Sequence, residues 1–322
     1  LPFGAWRERA REVYRSHLGP RPPLAPFAPN VLAREDRGAY EARKIALNLS
    51  ADTRVVGYLL VPKGKGPFPA VLGLHDHGAH FSIGKEKVIR PFDVSEERLN
   101  DAMEWVKTCY GGRFFGDELA RRGYVVFATD MLFWGDRGRQ EGVKYEAQER
   151  LAANMFHLGL SWAGRIVWDD LRCAEFLQSL PEVDPDRIGC AGLSVGSHRT
   201  WSLNALTDIV KAGLAICWMC DTKTLMQDGN NQTTGQSAFS MILPGLRNSL
   251  DYPDVASIAC PKPMLFYNGE KDGLFPLSGV EACHEKLREI WRAQGAEDKL
   301  ETRIWPVPHE FNADMQEAAF AW

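Results

Sequence analysis

The sequence predicts an α/β protein in which a mostly parallel central sheet is covered by helices on both faces. Two observations support this prediction. From about residue 69 onward, short apolar runs alternate with helical patterns, and these runs are continuously apolar rather than alternating with polar residues. Continuous apolar strands are typical of parallel sheets, which are buried on both faces. With 322 residues, the chain is long enough to bury such a sheet between two helical layers.

The segment before this alternation predicts an N-terminal helical extension. Residues 4–18 carry apolar side chains at helical spacing among several arginines, which indicates an amphipathic surface helix. A Pro-rich linker then runs to Pro29, because proline cannot continue a helix. The runs 42–49 and 55–61 predict an antiparallel hairpin that opens the sheet. We therefore expect an N-terminal helix and linker over residues 1–39 and one main domain over residues 40–322.

The remaining elements follow from the alternation itself. The predicted strands are 69–75, 124–130, 186–194, 212–219, 263–269 and 300–307, and the predicted helices lie near 117–123, from 146 to 180, after residue 194 and from 279 to 294. The polar segment 221–250 fits neither pattern. We interpret it as an insertion above the carboxyl edge of the sheet, where open α/β sheets bind their ligands.

Composition and charge argue against several functional classes. A formal net charge of -4 disfavours a surface for nucleic acid or anionic membranes, and no apolar run of about eighteen residues predicts a membrane span. Seven cysteines indicate no disulfide framework, and the Cys217 and Cys220 pair is interpreted as buried packing rather than a redox or metal motif. The chain begins with Leu1, which is compatible with the earlier removal of a signal peptide. A cytoplasmic location and an exported one therefore fit the sequence equally well. The sequence does not determine the oligomeric state, and a homo-oligomer is compatible with it.

The stretch Gly192-Leu193-Ser194-Val195-Gly196 joins a predicted strand to a predicted helix. In this context Gly-x-Ser-x-Gly is typical of a sharp turn that raises a nucleophilic serine above the sheet. Both glycines are then required, because a β-carbon at either position would clash within the turn. The backbone N–H of Val195, at the start of the helix, is expected to face a developing oxyanion. Taken alone, the motif also fits an ordinary turn.

A nucleophilic serine requires a base and a carboxylate that orients it. His309, in the loop after the last predicted strand, has the right position to take the proton of Ser194, although a solvent-facing loop histidine is the competing interpretation. Asp272 lies in the turn after strand 263–269 and is the preferred acid. Serine, acid and histidine then occur in the chain order of one hydrolase architecture. The competing carboxylates are Asp221, which follows the preceding strand, and Glu270, Asp251 and Asp254.

The loop His75-Asp76-His77-Gly78-Ala79-His80 is expected to supply the second oxyanion donor, the N–H of His77 or of Gly78. Three histidines and an aspartate within six residues also suggest a metal site. No distant Cys or His pair completes a zinc set, however, so structural hydrogen bonding is preferred for His75 and His80. The sequence therefore predicts neither a metal nor a cofactor.

Three further side chains are candidates for substrate binding. Trp134 and Trp218 fall near the predicted carboxyl edge, and indole faces stack on sugars, although packing in the core competes with this interpretation. Arg137 is expected either to bind an acidic substrate group or to pair with Asp136.

From about Tyr40 to the C-terminus, the chain resembles the α/β-hydrolase superfamily, and within it the dienelactone-hydrolase-like and acetyl-xylan-esterase-like carboxylesterases. The resemblance depends on GYLLVPKG, PAVLGLHDHG, GLSVG, NGEKDGLFP and PHEF. It implies that His77, the third residue of a His-Gly-x segment, supplies an oxyanion N–H, but here Asp76 replaces the glycine. Dienelactone hydrolases use a cysteine nucleophile, so Ser194 favours ester chemistry.

These residues and the resemblance together predict a serine hydrolase that cleaves a small-molecule or carbohydrate ester through an acyl-enzyme intermediate. A serine peptidase of similar fold is the second hypothesis, but the chain has no room for the propeller domain that usually accompanies it. The third is a catalytically silent hydrolase fold that serves as a binding protein. The presence of all three triad candidates, Ser194, Asp272 and His309, argues against the third hypothesis.

Overall fold

The computed structural model describes residues 1–138, 144–230 and 235–322, apart from the side chains of Tyr145 and Gln236. Within these ranges the strands are β1 (Asn30–Asp36), β2 (Tyr40–Ser50), β3 (Thr53–Pro62), β4 (Phe68–Leu74), β5 (Val125–Thr129), β6 (Val183–Leu193), β7 (Ala212–Ile216), β8 (Met264–Gly269) and β9 (Leu300–Trp305). The helices are α1 (Phe3–His17), α2 (Glu96–Cys109), α3 (Phe115–Arg121), α4 (Gln148–His157), α5 (Trp162–Ser179), α6 (Val195–Leu206), α7 (Thr222–Leu225), α8 (Tyr252–Ser257), α9 (Leu277–Ala293) and α10 (Ala313–Ala321).

All of these strands belong to one sheet, in the order β1-β2-β3-β5-β4-β6-β7-β8-β9. The pairs β1–β2, β2–β3 and β3–β5 are antiparallel, and every later pair, from β5–β4 to β8–β9, is parallel. The predicted mostly parallel sheet and its opening hairpin are therefore confirmed. Because β4 lies beside β6 and β8 beside β9, the loops that follow these four strands meet at one carboxyl edge.

The sheet separates two hydrophobic layers, as continuous apolar strands require. In β5, Val125 and Phe127 belong to one layer, whereas Val126 and Ala128 belong to the other. Helices α1, α5, α6, α8 and α9 pack on the first face, and α2, α3 and α10 pack on the second. Both faces of the parallel strands are thereby removed from water, which explains why their sequences do not alternate with polar residues.

Several elements differ from the sequence-based expectations. The helix expected over 146–180 is two helices, because Gly159 adopts a left-handed φ of 70° and Ser161 begins α5 as its N-cap. Strand β1 and helices α2 and α10 were not predicted. Part of the segment interpreted as an insertion, residues 231–234, lies outside the described residues.

The N-terminal helix α1 is part of the packed structure. Ala10, Tyr14 and Leu18 are buried in the same core layer as α5 and α6, and the buried Arg11 donates to the backbone oxygen of Ala205. The division of the chain at residue 39 stays a prediction. The seven cysteines are buried free thiols, in agreement with a packing role. Across the described ranges, no helix combines the length and the apolar character that a membrane crossing demands.

Candidate active site

A cavity of about 270 Å³ lies at the carboxyl edge of the parallel strands. The turn after β6, the loop after β4, the loop after β9 and several apolar side chains enclose it. Its described lining consists of Asp76, His77, Gly78, Ala79, Trp105, Cys109, Leu193, Ser194, Val195, Ser237, Met241, Leu274 and His309. Four of the predicted site residues, Ser194, Val195, His77 and His309, are thus brought to one cavity.

Ser194 occupies a strained turn between β6 and α6. Its φ of 58° and ψ of -123° are unusual for a residue with a side chain, and its N–H donates to the oxygen of Ile216 at 2.8 Å. A β-carbon at Gly192 would lie 2.5 Å from the oxygen of Leu74, and one at Gly196 would overlap that same oxygen. The turn therefore requires both glycines, and it presents the serine to the cavity.

The N–H of Val195 lies at the first position of α6, where no intrahelical acceptor exists. No hydrogen bond within the described residues uses this N–H. Because Val195 lines the cavity beside Ser194, its N–H is available to a negatively charged oxygen bonded to the serine.

His309 and Asp272 form a hydrogen-bonded pair. Nδ1 of His309 lies 2.6 Å from Oδ2 of Asp272, and Oδ1 of Asp272 accepts the N–H of Leu274 at 2.9 Å. The Asp272 side chain is 1% exposed, whereas that of His309 is 21% exposed. With Nδ1 donating to a carboxylate, Nε2 is the ring nitrogen able to accept a proton. The competing acid Asp221 instead caps α7, where its two oxygens accept the N–H and the hydroxyl of Thr224.

Ser194 and His309 share the cavity, but no hydrogen bond joins their side chains in the described structure. Such bonds are often long in unliganded enzymes and shorten when substrate is bound. Ser194 and His309, the predicted nucleophile and base, therefore line one cavity without a direct hydrogen bond between their described side chains.

The histidines after β4 are held by separate partners rather than converging on one point. Nδ1 of His75 donates to the oxygen of Asp76, since Nε2 accepts the N–H of Met131. The ring of His77 accepts the N–H of Ala79 at Nδ1, so Nε2 donates to Gln148 at 2.6 Å. Burial lowers the pKa of His77 to about 4, and the ring is therefore neutral.

His80 makes a third, independent contact. Its Nδ1 lies 2.7 Å from Oδ1 of Asp101, and its ring lies 4.7 Å from that of Trp105 between centroids. The hydrogen-bonding role expected for His75 and His80 is what the structure shows, and the ring of His77 is likewise engaged in hydrogen bonds, to Gln148 and Ala79.

The three predicted substrate-binding side chains do not reach this cavity. Trp134 is fully buried and donates its indole N–H to the oxygen of His77 at 3.0 Å. Trp218 is also buried, where it packs against Tyr252 and Phe275. The guanidinium of Arg137 pairs with Asp169 at 2.8 Å rather than with Asp136. Core packing, the competing interpretation, accounts for Trp134 and Trp218, whereas the pairing of Arg137 with Asp169 was not predicted.

The sequence analysis did not recognise the cavity residue Trp105 or the buried Tyr110, both of which hold Asp76. Trp105 comes from α2, and its Nε1 donates to Oδ2 of Asp76 at 3.1 Å. The hydroxyl of Tyr110 donates to the same oxygen at 2.6 Å. The available signal was the aspartate itself, which replaces the glycine of the resembled esterases and needs buried donors.

Comparison with known proteins agrees with this architecture. The sequence model of the Abhydrolase family matches residues 2–286, a range that begins in the N-terminal segment expected to lie outside the resemblance. YtaP of Bacillus subtilis (strain 168), which is named as a hydrolase, is 30% identical over 292 residues, 90% of this chain and 89% of YtaP.

Solved structures are similar over nearly the whole chain. A Bacteroides fragilis protein named as an acetyl xylan esterase superposes with a TM-score of 0.74 at 18% identity, covering 94% of this chain and 75% of that protein. The glucuronoyl esterase from Solibacter usitatus gives a TM-score of 0.68 at 14% identity, covering 98% and 90%. At these identities the similarity bears on the fold, and together with the family match it shows that this chain is a member of the Abhydrolase family with the α/β-hydrolase fold.

Proposed function

We propose that this protein is a serine carboxylesterase in which Ser194 is the nucleophile, His309 the general base and Asp272 the acid that orients the base. One observation carries the proposal: a serine in a strained turn shares a cavity with a histidine that is hydrogen-bonded to a buried carboxylate. Strained backbone at a cavity is costly to fold and is typical of sites that hold a nucleophile in place.

The proposed reaction has two steps. Nε2 of His309 takes the proton from Oγ of Ser194 while Oγ attacks the ester carbonyl, and the imidazolium then protonates the departing alcohol. Water then enters, and His309 takes one of its protons while the water oxygen attacks the acyl carbon. The imidazolium returns this proton to Oγ of Ser194 as the acyl bond breaks, which releases the acid and restores the enzyme. In both steps Asp272 keeps the proton on Nδ1 and stabilises the imidazolium. The N–H of Val195 and one N–H of the loop after β4 stabilise the oxyanion.

The size and lining of the cavity support a small, neutral acyl group. A volume of about 270 Å³ leaves room for an acetyl group and the adjoining part of an alcohol. Trp105, Met241 and Leu274 supply apolar surface, and the described lining contains no lysine or arginine for an anionic group. The two solved structures compared above are named as an acetyl xylan esterase and a glucuronoyl esterase. We therefore propose an acetyl or similarly small ester of a carbohydrate as the substrate class.

Active-site labelling tests the proposal. A fluorophosphonate probe followed by peptide mapping is expected to modify Ser194, and Ser194→Ala is expected to lose both the label and p-nitrophenyl acetate turnover. Ser197→Ala is the matched control, because this buried serine lies one turn onward and its hydroxyl donates to the oxygen of Trp218 at 3.3 Å. Turnover that survives in Ser194→Ala, or labelling elsewhere, would contradict the proposal.

A substrate panel then separates the hypotheses. Acetylated xylo-oligosaccharides, methyl esters of uronic acids and peptide amides are compared by kcat/KM. Preference for the acetylated sugars supports the proposed class, whereas preference for amides indicates the peptidase. A folded protein that binds these ligands without turnover indicates the silent binding protein.

A further inference from the structure

The 3₁₀ turn Lys85–Lys87 places two lysines in the protein interior with no exposed side-chain surface. Lys85 is surrounded by carboxylates, at 2.8 Å from Asp130 and 2.6 Å from Asp136. Lys87 is different, because its nearest carboxylate oxygen, Oδ1 of Asp76, lies 3.5 Å away. Desolvation lowers the pKa of Lys87 and Asp76 opposes it only in part, whereas for Lys85 the carboxylates outweigh desolvation and raise the pKa.

The ammonium of Lys87 is instead bound to backbone. Its Nζ donates to the oxygen of His77 at 2.9 Å and to that of Asp76 at 3.3 Å, and it lies 5.3 Å from the ring centroid of Trp105. These two carbonyls belong to consecutive peptides of the loop after β4. A buried cation is retained only where such groups replace water, and here the groups that replace it belong to the loop beside the nucleophile.

Because Lys87 binds two consecutive carbonyls on one side of the loop, the N–H groups of the same two peptides are fixed on the opposite side. In a trans peptide the C=O and N–H bonds point in opposite directions, and both of these peptides are trans. The N–H groups of His77 and Gly78 therefore point away from Lys87. Gly78 lines the cavity together with Ser194 and Val195.

Gly78 shows how closely the loop is pressed against Lys87. A β-carbon there would lie 2.6 Å from Oδ1 of Asp76, 2.6 Å from Cζ2 of Trp105 and 2.9 Å from Nζ of Lys87. Its φ of 61° is also one that side chains rarely adopt. A side chain at position 78 would therefore displace Asp76, Trp105 or Lys87, so the close packing of this loop around the ammonium favours glycine.

The carboxylate of Asp76 links Lys87 to two aromatic side chains. Asp76 is 1% exposed, and its Oδ2 accepts hydrogen bonds from Tyr110 and Trp105. Its Oδ1 faces Lys87. The residue that interrupts the His-Gly-x pattern thus anchors the loop through side chains of the segment from α2 to Tyr110.

We propose that Lys87 is a positioning residue for ester hydrolysis: by binding the carbonyls of Asp76 and His77, it aims the N–H groups of His77 and Gly78 at the oxyanion. The cation also polarises the two peptides, because a charge on the carbonyl side makes the N–H a stronger donor. This inference rests on the proposed function. It adds which N–H groups form the second half of the oxyanion hole and which residue positions them.

The test replaces Lys87 by methionine, which keeps most of the volume and removes the donor and charge. Lys262→Met is the matched control, since Nζ of Lys262 donates to the oxygens of Asn204 and Thr207, at 2.9 and 2.6 Å, away from the cavity. We expect kcat on p-nitrophenyl acetate to fall about 10- to 100-fold in Lys87→Met with KM within about threefold, less than the roughly 10² to 10³ typical of deleting a donor. Lys262→Met is expected to keep the wild-type kcat.

A second measurement distinguishes an effect on the oxyanion hole from an effect on the stability of the protein. The ratio of kcat/KM for p-nitrophenyl acetate to that for its thiono analogue reports hydrogen bonding to the oxygen, because sulfur accepts N–H bonds poorly. We expect this ratio to fall about tenfold in Lys87→Met, following the size of the oxyanion effect, and to stay unchanged in Lys262→Met. An unchanged ratio in a folded Lys87→Met overturns the proposal.

Two other results can arise: a variant that does not fold, and a wild type without esterase activity. If Lys87→Met does not fold, Lys87→Leu, which also removes both the donor and the charge, decides: a lower ratio supports the positioning role and a wild-type ratio overturns it. If the wild type itself turns over no ester and is not labelled at Ser194, the proposed function has failed, which is distinct from a wild-type esterase that tolerates the loss of Lys87.

Discussion

Replacement of Asp272 by asparagine is the sharpest test of how the base is held. The carboxylate is buried, with one oxygen 2.6 Å from Nδ1 of His309 and the other fixed by the N–H of Leu274. Asparagine has the same shape, so the turn after β8 is retained while the negative charge is lost. If its amide nitrogen faces the ring, Nδ1 must accept rather than donate, and the proton moves to Nε2, where it blocks the base.

The size of the effect follows from the geometry. With nearest atoms 2.6 Å apart, the charges of the imidazolium and the carboxylate are centred about 4 Å apart, and at an effective dielectric near 20 they attract by about 4 kcal/mol. This attraction exists only once His309 has taken the proton, so its loss raises the barrier rather than weakening substrate binding. About 4 kcal/mol corresponds to roughly a 10³-fold lower kcat.

The assay is steady-state hydrolysis of p-nitrophenyl acetate, with thermal unfolding as a check on the fold. We expect Asp272→Asn to lower kcat roughly 10³-fold with KM within about threefold. Two controls address the competing acids: Glu270→Gln changes an exposed side chain, and Asp221→Asn changes the cap of α7. Both are expected to keep kcat. A fall of less than about tenfold in Asp272→Asn, or an equal fall in Asp221→Asn, refutes the assignment.

Two further predictions concern the turn and the buried histidines. Gly196→Ala forces a β-carbon onto the oxygen of Leu74, so we expect lost activity and a lower melting temperature; an active, equally stable variant would show that the turn tolerates a side chain. His77, His198 and His284 are neutral in the fold because burial lowers their pKa values to about 4, 3 and 3. Since the unfolded chain binds protons below about pH 6.5, the free energy of unfolding should fall as the pH is lowered toward 4, by roughly 3 kcal/mol for each histidine. Asp130, whose pKa burial raises to about 6, opposes one of these contributions, and urea unfolding that is independent of pH would contradict the prediction.

The positions of Ser194, Asp272 and His309 could be predicted because each lies in a loop directly after a strand. In a parallel sheet these loops meet at one edge whatever the details of packing, so local patterns were sufficient to bring the residues together. The catalytic roles themselves stay proposals until they are measured.

Side-chain direction is the part that local patterns did not determine. Trp134 and Trp218 were placed near the right edge, yet both indoles turn into the core, because burial of a large ring outweighs its exposure at a cavity. Trp105 lies on a helix that the sequence analysis did not assign, and it reaches the cavity through a tertiary contact with Asp76. Lys87 was overlooked because a lysine is seldom fully buried. The edge strand β1 was missed because its side chains are largely exposed.

A serine carboxylesterase of the proposed kind carries an acyl group on Ser194 during turnover. Rapid acid quenching of the enzyme during p-nitrophenyl acetate hydrolysis, followed by peptide mass spectrometry, measures this directly. We expect an acetylated peptide that contains Ser194, formed as fast as p-nitrophenol is released in the first turnover. Turnover without an acetylated Ser194, or with the acetyl group on another residue, would contradict it.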